Sequence, residues 1–433
     1  MNHRAYESSD KGQVSLRERV GRIPLLSPRA CSERLEEMGY RGQTRGRQAA
    51  SVLAYRHVRR LRRLFIDGES PDGVGPRDNY LFVGPTGSGK TFLVELLFKE
   101  ILAVPTVIVD ITQYSETGYI GEDVSMMLAR LFEAAGQDLA WSSCGVVCMD
   151  EFDKLASSRS NARFAGEGTT KDVSGFGVQR GLLTLLPADD AQFPADCGYA
   201  QLAPKLTLSL RGRSFIACGA FSGFQATASS LDDTERIGYQ RNAQPRFSEA
   251  IAARFEEGVL ERTAAFARYG FLPELIGRFS RVVIFDPLDR DTLRSIVDHN
   301  VLDAYRREFA SEGIELTVDA SVLDHIVGRA LKRELGARGL RTSLLQRSID
   351  HERRADRCRI SPRLTLGGFL ASSWRWGRVL SAAPVTAKLT IGSIADFALL
   401  SDATITSWSA SLGSTCPVAT SLGASPAERR AGS

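Results

Sequence analysis

Asn79-Tyr-Leu-Phe-Val-Gly84-Pro-Thr-Gly-Ser-Gly-Lys90-Thr91 decides the reading of this chain. The run before Gly84 is short, apolar and closed by glycine, which predicts a buried strand; a helical pattern follows from Lys90 to Leu102. Between them Gly84, Pro85, Thr86, Gly87, Ser88, Gly89, Lys90 and Thr91 satisfy G-x-x-x-x-G-K-[ST]. Glycines let the backbone curl until successive N–H groups and the start of the helix face phosphate oxygens. In such a loop Lys90 reaches the terminal phosphates and the Thr91 hydroxyl is a ligand for Mg²⁺.

Working outward, Val146-Val-Cys-Met-Asp150-Glu151 is a second apolar run, and it ends in two carboxylates. From a strand end, Asp150 can hold Mg²⁺ and Glu151 can polarise a water for attack on a γ-phosphate. Asp-Glu after an apolar run is common by itself, and the upstream loop is what makes it half of a site. Thr106–Asp110 and Ser214–Cys218 are further strand candidates, and a helix is expected from about Asp123 to Ala135. Apolar runs alternating with helices predict an α/β fold with a parallel sheet flanked by helices. An amphipathic helix is expected from about Arg45 to Ile66. From Asp289 to about Ala355 the pattern is mainly helical, with one strand candidate at Ile314–Val318, and beyond Cys358 no period is left.

The length of 433 residues predicts two or three domains, and 43% hydrophobic with 24% charged residues excludes a mostly disordered or fibrous chain. The net charge of +4 is unevenly spread. Residues 358–433 hold 7 Lys/Arg against 3 Asp/Glu and residues 1–60 hold 13 against 6, whereas residues 61–357 hold 35 against 42. The acidic middle gives no electrostatic reason for a nucleic-acid partner, and the arginines from Arg45 to Arg63 read as a solvated or intersubunit helix face. The 7 cysteines form no C-x-x-C, so neither a zinc ribbon nor a disulfide framework is expected. With no apolar leader and no run approaching a membrane span, the expectation is a reducing, cytoplasmic location. Neither H-E-x-x-H nor G-x-S-x-G occurs, so no peptidase site is expected.

Six blocks in order carry a resemblance: the phosphate loop, Gly118-Tyr-Ile-Gly-Glu-Asp-Val124, Asp150-Glu-Phe-Asp-Lys-Leu155, Lys171-Asp-Val-Ser-Gly175, Leu272-Pro-Glu-Leu-Ile-Gly-Arg-Phe279 and Gly336-Ala-Arg-Gly-Leu-Arg341. From roughly Pro28 to Arg353 the chain resembles the AAA+ module of the ClpX unfoldase family. The resemblance implies ATP with Mg²⁺, hydrolysis, a homo-oligomeric ring expected to be a hexamer, and unfolded or tagged proteins as substrates. It gives Tyr119 the role of the axial pore aromatic that pulls on polypeptide. It makes Arg278 the arginine that reaches a neighbouring subunit's γ-phosphate, where a planar, permanently charged fork suits developing charge. Arg338 matches the sensor-2 arginine of the small domain. Ile237-Gly238-Tyr239 falls where these unfoldases carry the Ile-Gly-Phe tripeptide that docks on the ClpP peptidase ring, with Tyr in place of Phe.

The departures are specific. No four-cysteine zinc domain is found at the N-terminal side. Tyr40 and Arg41 precede Gly42-Gln43 where the family has aliphatic residues beside the adenine, and Phe176 replaces a Glu. Asp189, Asp190 and Asp196 stand where the pore entrance is basic in the family, and no Asn or Thr is evident near Cys218 at the sensor-1 position. The expected organisation is a flexible basic segment over 1–27, the large α/β ATPase domain over 28–288, the small domain over 289–357, and an atypical tail over 358–433. That tail reads equally as a partner-binding extension, a poorly packed extension or an out-of-frame translation. Besides the ClpP-linked unfoldase, a protease-independent remodelling ATPase and a nucleotide-gated assembly module with little hydrolysis fit the same residues.

Overall fold

The computed structural model describes residues 15–114, 123–156, 175–195, 204–224, 263–311, 314–332, 336–337, 340, 364–366, 369–370 and 387–391. The chain divides into two compact units, one of residues 1–296 with 331–339 and the other of residues 297–330 with 340–433.

The first unit is built on β1 (Tyr80–Val83), β2 (Thr106–Asp110), β3 (Val146–Asp150), β6 (Ser214–Gly219) and β7 (Arg281–Ile284), all parallel, in the order β2-β3-β6-β1-β7. Between β3 and β6 in the chain, β4 (Asp190–Pro194) and β5 (Lys205–Ser209) form a separate antiparallel pair. Successive side chains of a strand point to opposite faces, so the near-continuous apolar runs of β1, β3 and β6 feed two cores at once. Leu81, Val147 and Phe215 enter one core, and Phe82, Cys148 and Ile216 enter the other.

Helix α1 (Leu16–Arg22) is capped by the Ser15 hydroxyl and α2 (Pro28–Glu37) by that of Ser27, with Pro28 in the first turn. Helix α3 (Thr44–Phe65) turns Ala50, Leu53, Ala54, His57, Val58 and Leu61 inward, a three-and-four spacing that gives one buried face. His57 ties α3 to the sheet: Nε2 lies 3.0 Å from the Cys144 carbonyl and Nδ1 lies 3.0 Å from Ser214 Oγ. A carbonyl only accepts, so Nε2 carries the proton and the Ser214 hydroxyl donates to Nδ1.

The register aligns the C-terminal ends of the strands: Asp110 lies beside Asp150, and Val83 lies beside Gly219 and Ile284. Open parallel sheets bind ligands at that edge, and the loop after β1 emerges there.

In the second unit, β8 (Ile314–Val318) pairs in parallel with β11 (Ala387–Ile391), which pairs antiparallel with β9 (Leu364–Leu366), itself joined to β10 (Phe369–Leu370). The helix Ala320–Lys332 buries Val322, Leu323, Ile326, Val327 and Ala330 along one face. Arg306 meets Asp298 at 2.6 Å and Asp303 at 2.8 Å.

Several elements differ from the sequence reading. Within the 1–27 segment expected to be flexible, α1 packs with Val20 and Ile23 buried. The helix expected over Lys90–Leu102 is an α-turn at Lys90–Val94 followed by a π-helix at Glu95–Ile101. The segment after Cys358, where no period is visible, contributes β9, β10 and β11. Their lengths of 3, 2 and 5 residues are too short to establish an alternation.

Candidate functional site

The loop from Gly84 to Thr91 leaves β1 and enters the helix starting at Lys90. Gly87 and Gly89 have φ of +77° and +91°, in the region that side chains disfavour. Gly84 is fixed by proximity instead, since a Cβ there would lie 2.3 Å from the Phe285 carbonyl oxygen. Lys90 is buried, and its ammonium donates to the carbonyls of Gly84 at 2.6 Å and Pro85 at 2.9 Å and to Ser88 Oγ at 3.4 Å. The positive charge is thereby held over the loop rather than released to solvent.

Across the sheet edge, the Thr91 hydroxyl donates to Asp150 Oδ2 at 2.8 Å. The neighbouring Glu151 has φ of +56°, an uncommon conformation for a non-glycine residue, and its N–H donates to Asp150 Oδ1 at 2.9 Å. The two halves of the site expected from sequence, the loop and the Asp-Glu pair, therefore meet at one sheet edge. A hydroxyl and a carboxylate at this spacing are hard oxygen donors of the kind Mg²⁺ prefers.

A third strand end completes the edge in an unexpected way. After Gly219, the Ala220 N–H donates to Asp153 Oδ1 at 2.9 Å, and a Cβ on Gly219 would come within 2.9 Å of that oxygen. Buried Asp153 thus occupies the space beside the sensor-1 position, where the side chains are Cys218, Gly219 and Ala220.

Tyr40 is one of the two residues by which the sequence departs from the family's aliphatic pair beside the adenine. Its hydroxyl lies 3.4 Å from the Gly89 carbonyl and its ring stacks on Phe92 at 6.1 Å, so it buttresses the phosphate loop from beneath. Burial raises its pKa above the ordinary tyrosine value. Gln43, φ +51°, pairs with the backbone of Asp286 through both ends of its amide, donating to the carbonyl at 2.5 Å and accepting from the N–H at 3.0 Å.

Arg278 is exposed and lines a cavity of about 770 Å³ together with Arg56, Arg60, Arg77, Arg211 and Arg281. Three aspartates share the walls: Asp72, Asp78, which pairs with Arg56 at 2.8 Å, and Asp189, which pairs with Arg211 at 3.3 Å. Asp189, expected at a pore entrance, thus faces this arginine-lined cavity. Arg278 is anchored at the start of β1, whereas the phosphate loop leaves its end; a four-residue strand spans roughly 13 Å at about 3.3 Å per residue.

Tyr119, Ile237, Gly238, Tyr239 and Arg338 lie outside the described residues. The backbone just before Arg338 is described: the Ala337 N–H donates to the Gly87 carbonyl at 3.1 Å, and a Cβ on Gly336 would approach that oxygen to 2.8 Å. Asn79, Asp153 and Gln43 were not singled out as site residues from sequence. Asn79 looked like a strand boundary, and the other two were letters inside longer blocks.

The parallel sheet, the phosphate loop and the Asp-Glu pair at its edge define a P-loop AAA+ nucleotide-binding module. Residues 80–189 match the family model of the ATPase family associated with various cellular activities (AAA), and residues 288–352 match that of the C-terminal, D2-small domain of ClpB protein. The curated relatives include ATP-dependent Clp protease ATP-binding subunit ClpX of Porphyromonas gingivalis, 35% identical over 283 residues, covering 64% of this chain and 65% of the relative. The protein of the same name from Azotobacter vinelandii is 34% identical over 290 residues, 64% of this chain and 62% of the relative. That from Bacteroides thetaiotaomicron is 34% identical over 287 residues, 65% and 66%. The chain therefore spans just under two thirds of the length of these relatives. Over that shared region it is similar to the ATP-binding subunit ClpX. Among the described residues no helix is long and apolar enough to cross a membrane.

Proposed function

We propose that this protein is an ATP-dependent protein unfoldase or remodelling ATPase that works as a homo-oligomeric ring, a hexamer, in the cytoplasm. The observation that carries the reading is the meeting of Thr91 with Asp150 at 2.8 Å, with Glu151 next to it and Lys90 held over the loop. Lys90 and the loop N–H groups bind the β- and γ-phosphates of ATP; Thr91 and Asp150 hold Mg²⁺. When bound there, Mg²⁺ supplies neutralising charge to the phosphate oxygens. Glu151 orients the attacking water and takes its proton. Arg278, at the far end of β1 from its own loop, acts on the nucleotide of a neighbouring subunit, and Arg338 couples nucleotide state to the small domain. Tyr119 grips an unfolded or tagged polypeptide and threads it, and Ile237-Gly238-Tyr239 docks on a ClpP-type peptidase ring. No nucleic acid and no membrane take part.

The ring is tested by turnover of ATP with and without an unfolded protein. Glu151→Gln is expected to lower kcat by at least 100-fold while retaining ATP binding. Turnover by Glu151→Gln equal to wild type would refute hydrolysis at this site. The replacement of the sensor-1 side chain by Gly219 and Ala220 favours a second reading, a nucleotide-gated assembly module; binding and ATP-dependent assembly without turnover in the wild type would select it.

A further inference from the structure

Asn79 is one of the few polar side chains buried in the first unit, only 5% exposed, and it sits at the first turn into β1. Its amide makes two bonds in opposite directions. Oδ1 accepts from the Phe215 N–H at 3.2 Å, which fixes the side chain to β6 in the middle of the sheet. Nδ2 donates to the carbonyl of Arg278 at 3.2 Å, which fixes the segment bearing that arginine. The Asn79 backbone carbonyl accepts twice more, from the Ser280 N–H at 2.8 Å and the Ser280 hydroxyl at 3.0 Å. Three hydrogen bonds of the Arg278–Ser280 stretch therefore converge on one residue at the entrance to the strand that leads into the phosphate loop.

We infer that Asn79 is a positioning residue for Arg278, holding the main chain of the arginine so that its guanidinium projects from the arginine-lined cavity toward a neighbouring subunit. The inference rests on the proposed action of Arg278 in trans. An amide is suited to the task because it donates and accepts from one planar group, so the same side chain joins an acceptor on one segment to a donor on another. A leucine of similar size would leave the Phe215 N–H and the Arg278 carbonyl without partners inside the protein. The cost of losing Asn79 then falls on chemistry in the adjacent subunit, not on nucleotide binding in its own.

That export of the defect is what the test reads. In full-length Asn79→Ala, the affinity for a fluorescent ATP analogue and the KM are expected to stay within about three-fold of wild type while kcat falls by roughly 10-fold or more, as for loss of an interaction made only in the transition state. Asn79→Ala subunits are then mixed with Glu151→Gln subunits, whose own sites are inactive but whose arginines are intact. Turnover of the mixture above that of either protein alone is expected, because competent sites gain competent arginines as neighbours. Ser280→Ala, a milder change that keeps the amide, should lower kcat in the same direction and be rescued in the same way, which guards against misfolding of Asn79→Ala. Arg278→Ala mixed with Glu151→Gln is the reference. If Arg278→Ala is rescued but neither Asn79→Ala nor Ser280→Ala is, the positioning role is wrong and the trans reading stands. If Arg278→Ala is not rescued either, both fall.

Discussion

His57 offers a quantitative test of how the sheet and α3 are joined. Its ring is 2% exposed, and burial, opposed by the bond to the Cys144 carbonyl and reinforced by the charges of Arg60 and Arg213, pushes its pKa from 6.5 to about 4. The folded protein therefore keeps His57 neutral over a range where the unfolded chain binds a proton. Stability from this group is complete above pH 7, falls as the pH drops through 6.5 because the unfolded state is the one gaining protons, and levels off below about 4. The separation of the two values corresponds to about 3 kcal/mol across the whole window, and about 2 kcal/mol of it should be gone by about pH 5. His57→Gln isolates the effect, since a glutamine can donate to the Cys144 carbonyl and accept from Ser214 but does not titrate. Urea unfolding of both proteins, followed by far-ultraviolet circular dichroism from pH 7.5 to 5, yields the difference in stability at each pH. The carboxylates are common to both and cancel. The wild-type advantage should shrink by about 2 kcal/mol on acidification. A difference constant to within roughly 0.5 kcal/mol would mean that His57 takes up its proton as readily in the folded state as in the unfolded one, and the reasoning would be refuted.

Gly84→Ala puts a methyl group 2.3 Å from the Phe285 carbonyl oxygen, so calorimetric affinity for ADP should fall at least 10-fold; Gly21→Ala, which meets nothing within 4 Å in α1, should raise stability by roughly 0.5–1 kcal/mol in thermal melts. Tyr40→Phe removes only a weak hydroxyl contact and should change stability by less than about 1 kcal/mol, whereas Tyr40→Ala empties the space beneath Gly89 and against Phe92 and should cost about 3–5 kcal/mol and weaken nucleotide binding in a fluorescence titration.

What could be read in advance follows from how locally each feature is encoded. β1, β3 and β6 were visible because buried parallel strands are apolar on both faces and so stand out as runs, and the edge strand β2 because Val107-Ile-Val109 is β-branched throughout. The phosphate loop was visible because its glycines and lysine are dictated by backbone geometry and charge within eight residues. β7 was not expected, although Arg281-Val-Val-Ile284 is apolar, because a four-residue edge strand is hardly longer than chance. Helix Phe176–Leu185 and the β4–β5 pair lie in a stretch rich in Gly and Asp, where neither a helical nor a strand period stands out.

The site's outer contacts were illegible for a different reason: each joins residues far apart in sequence through one hydrogen bond. Asn79 reaches across about 200 positions to Arg278, and Gln43 reaches 243 positions to Asp286. No periodicity or spacing announces such a pair, because the constraint acts on where two segments meet and not on either segment alone. Charge behaves in the same way. Uneven net charge is no sign of the arginine-lined cavity, since Arg56, Arg77, Arg211 and Arg278 come from four separate stretches and become neighbours only when β1 pairs with β6 and β7. Within that cavity Asp78 and Asp189 pair with Arg56 and Arg211, and Arg60 and Arg77 spend their donors on backbone carbonyls. Arg278 and Arg281 receive neither kind of partner among the described residues, which leaves Arg278 available for the proposed contact with a neighbouring subunit's nucleotide.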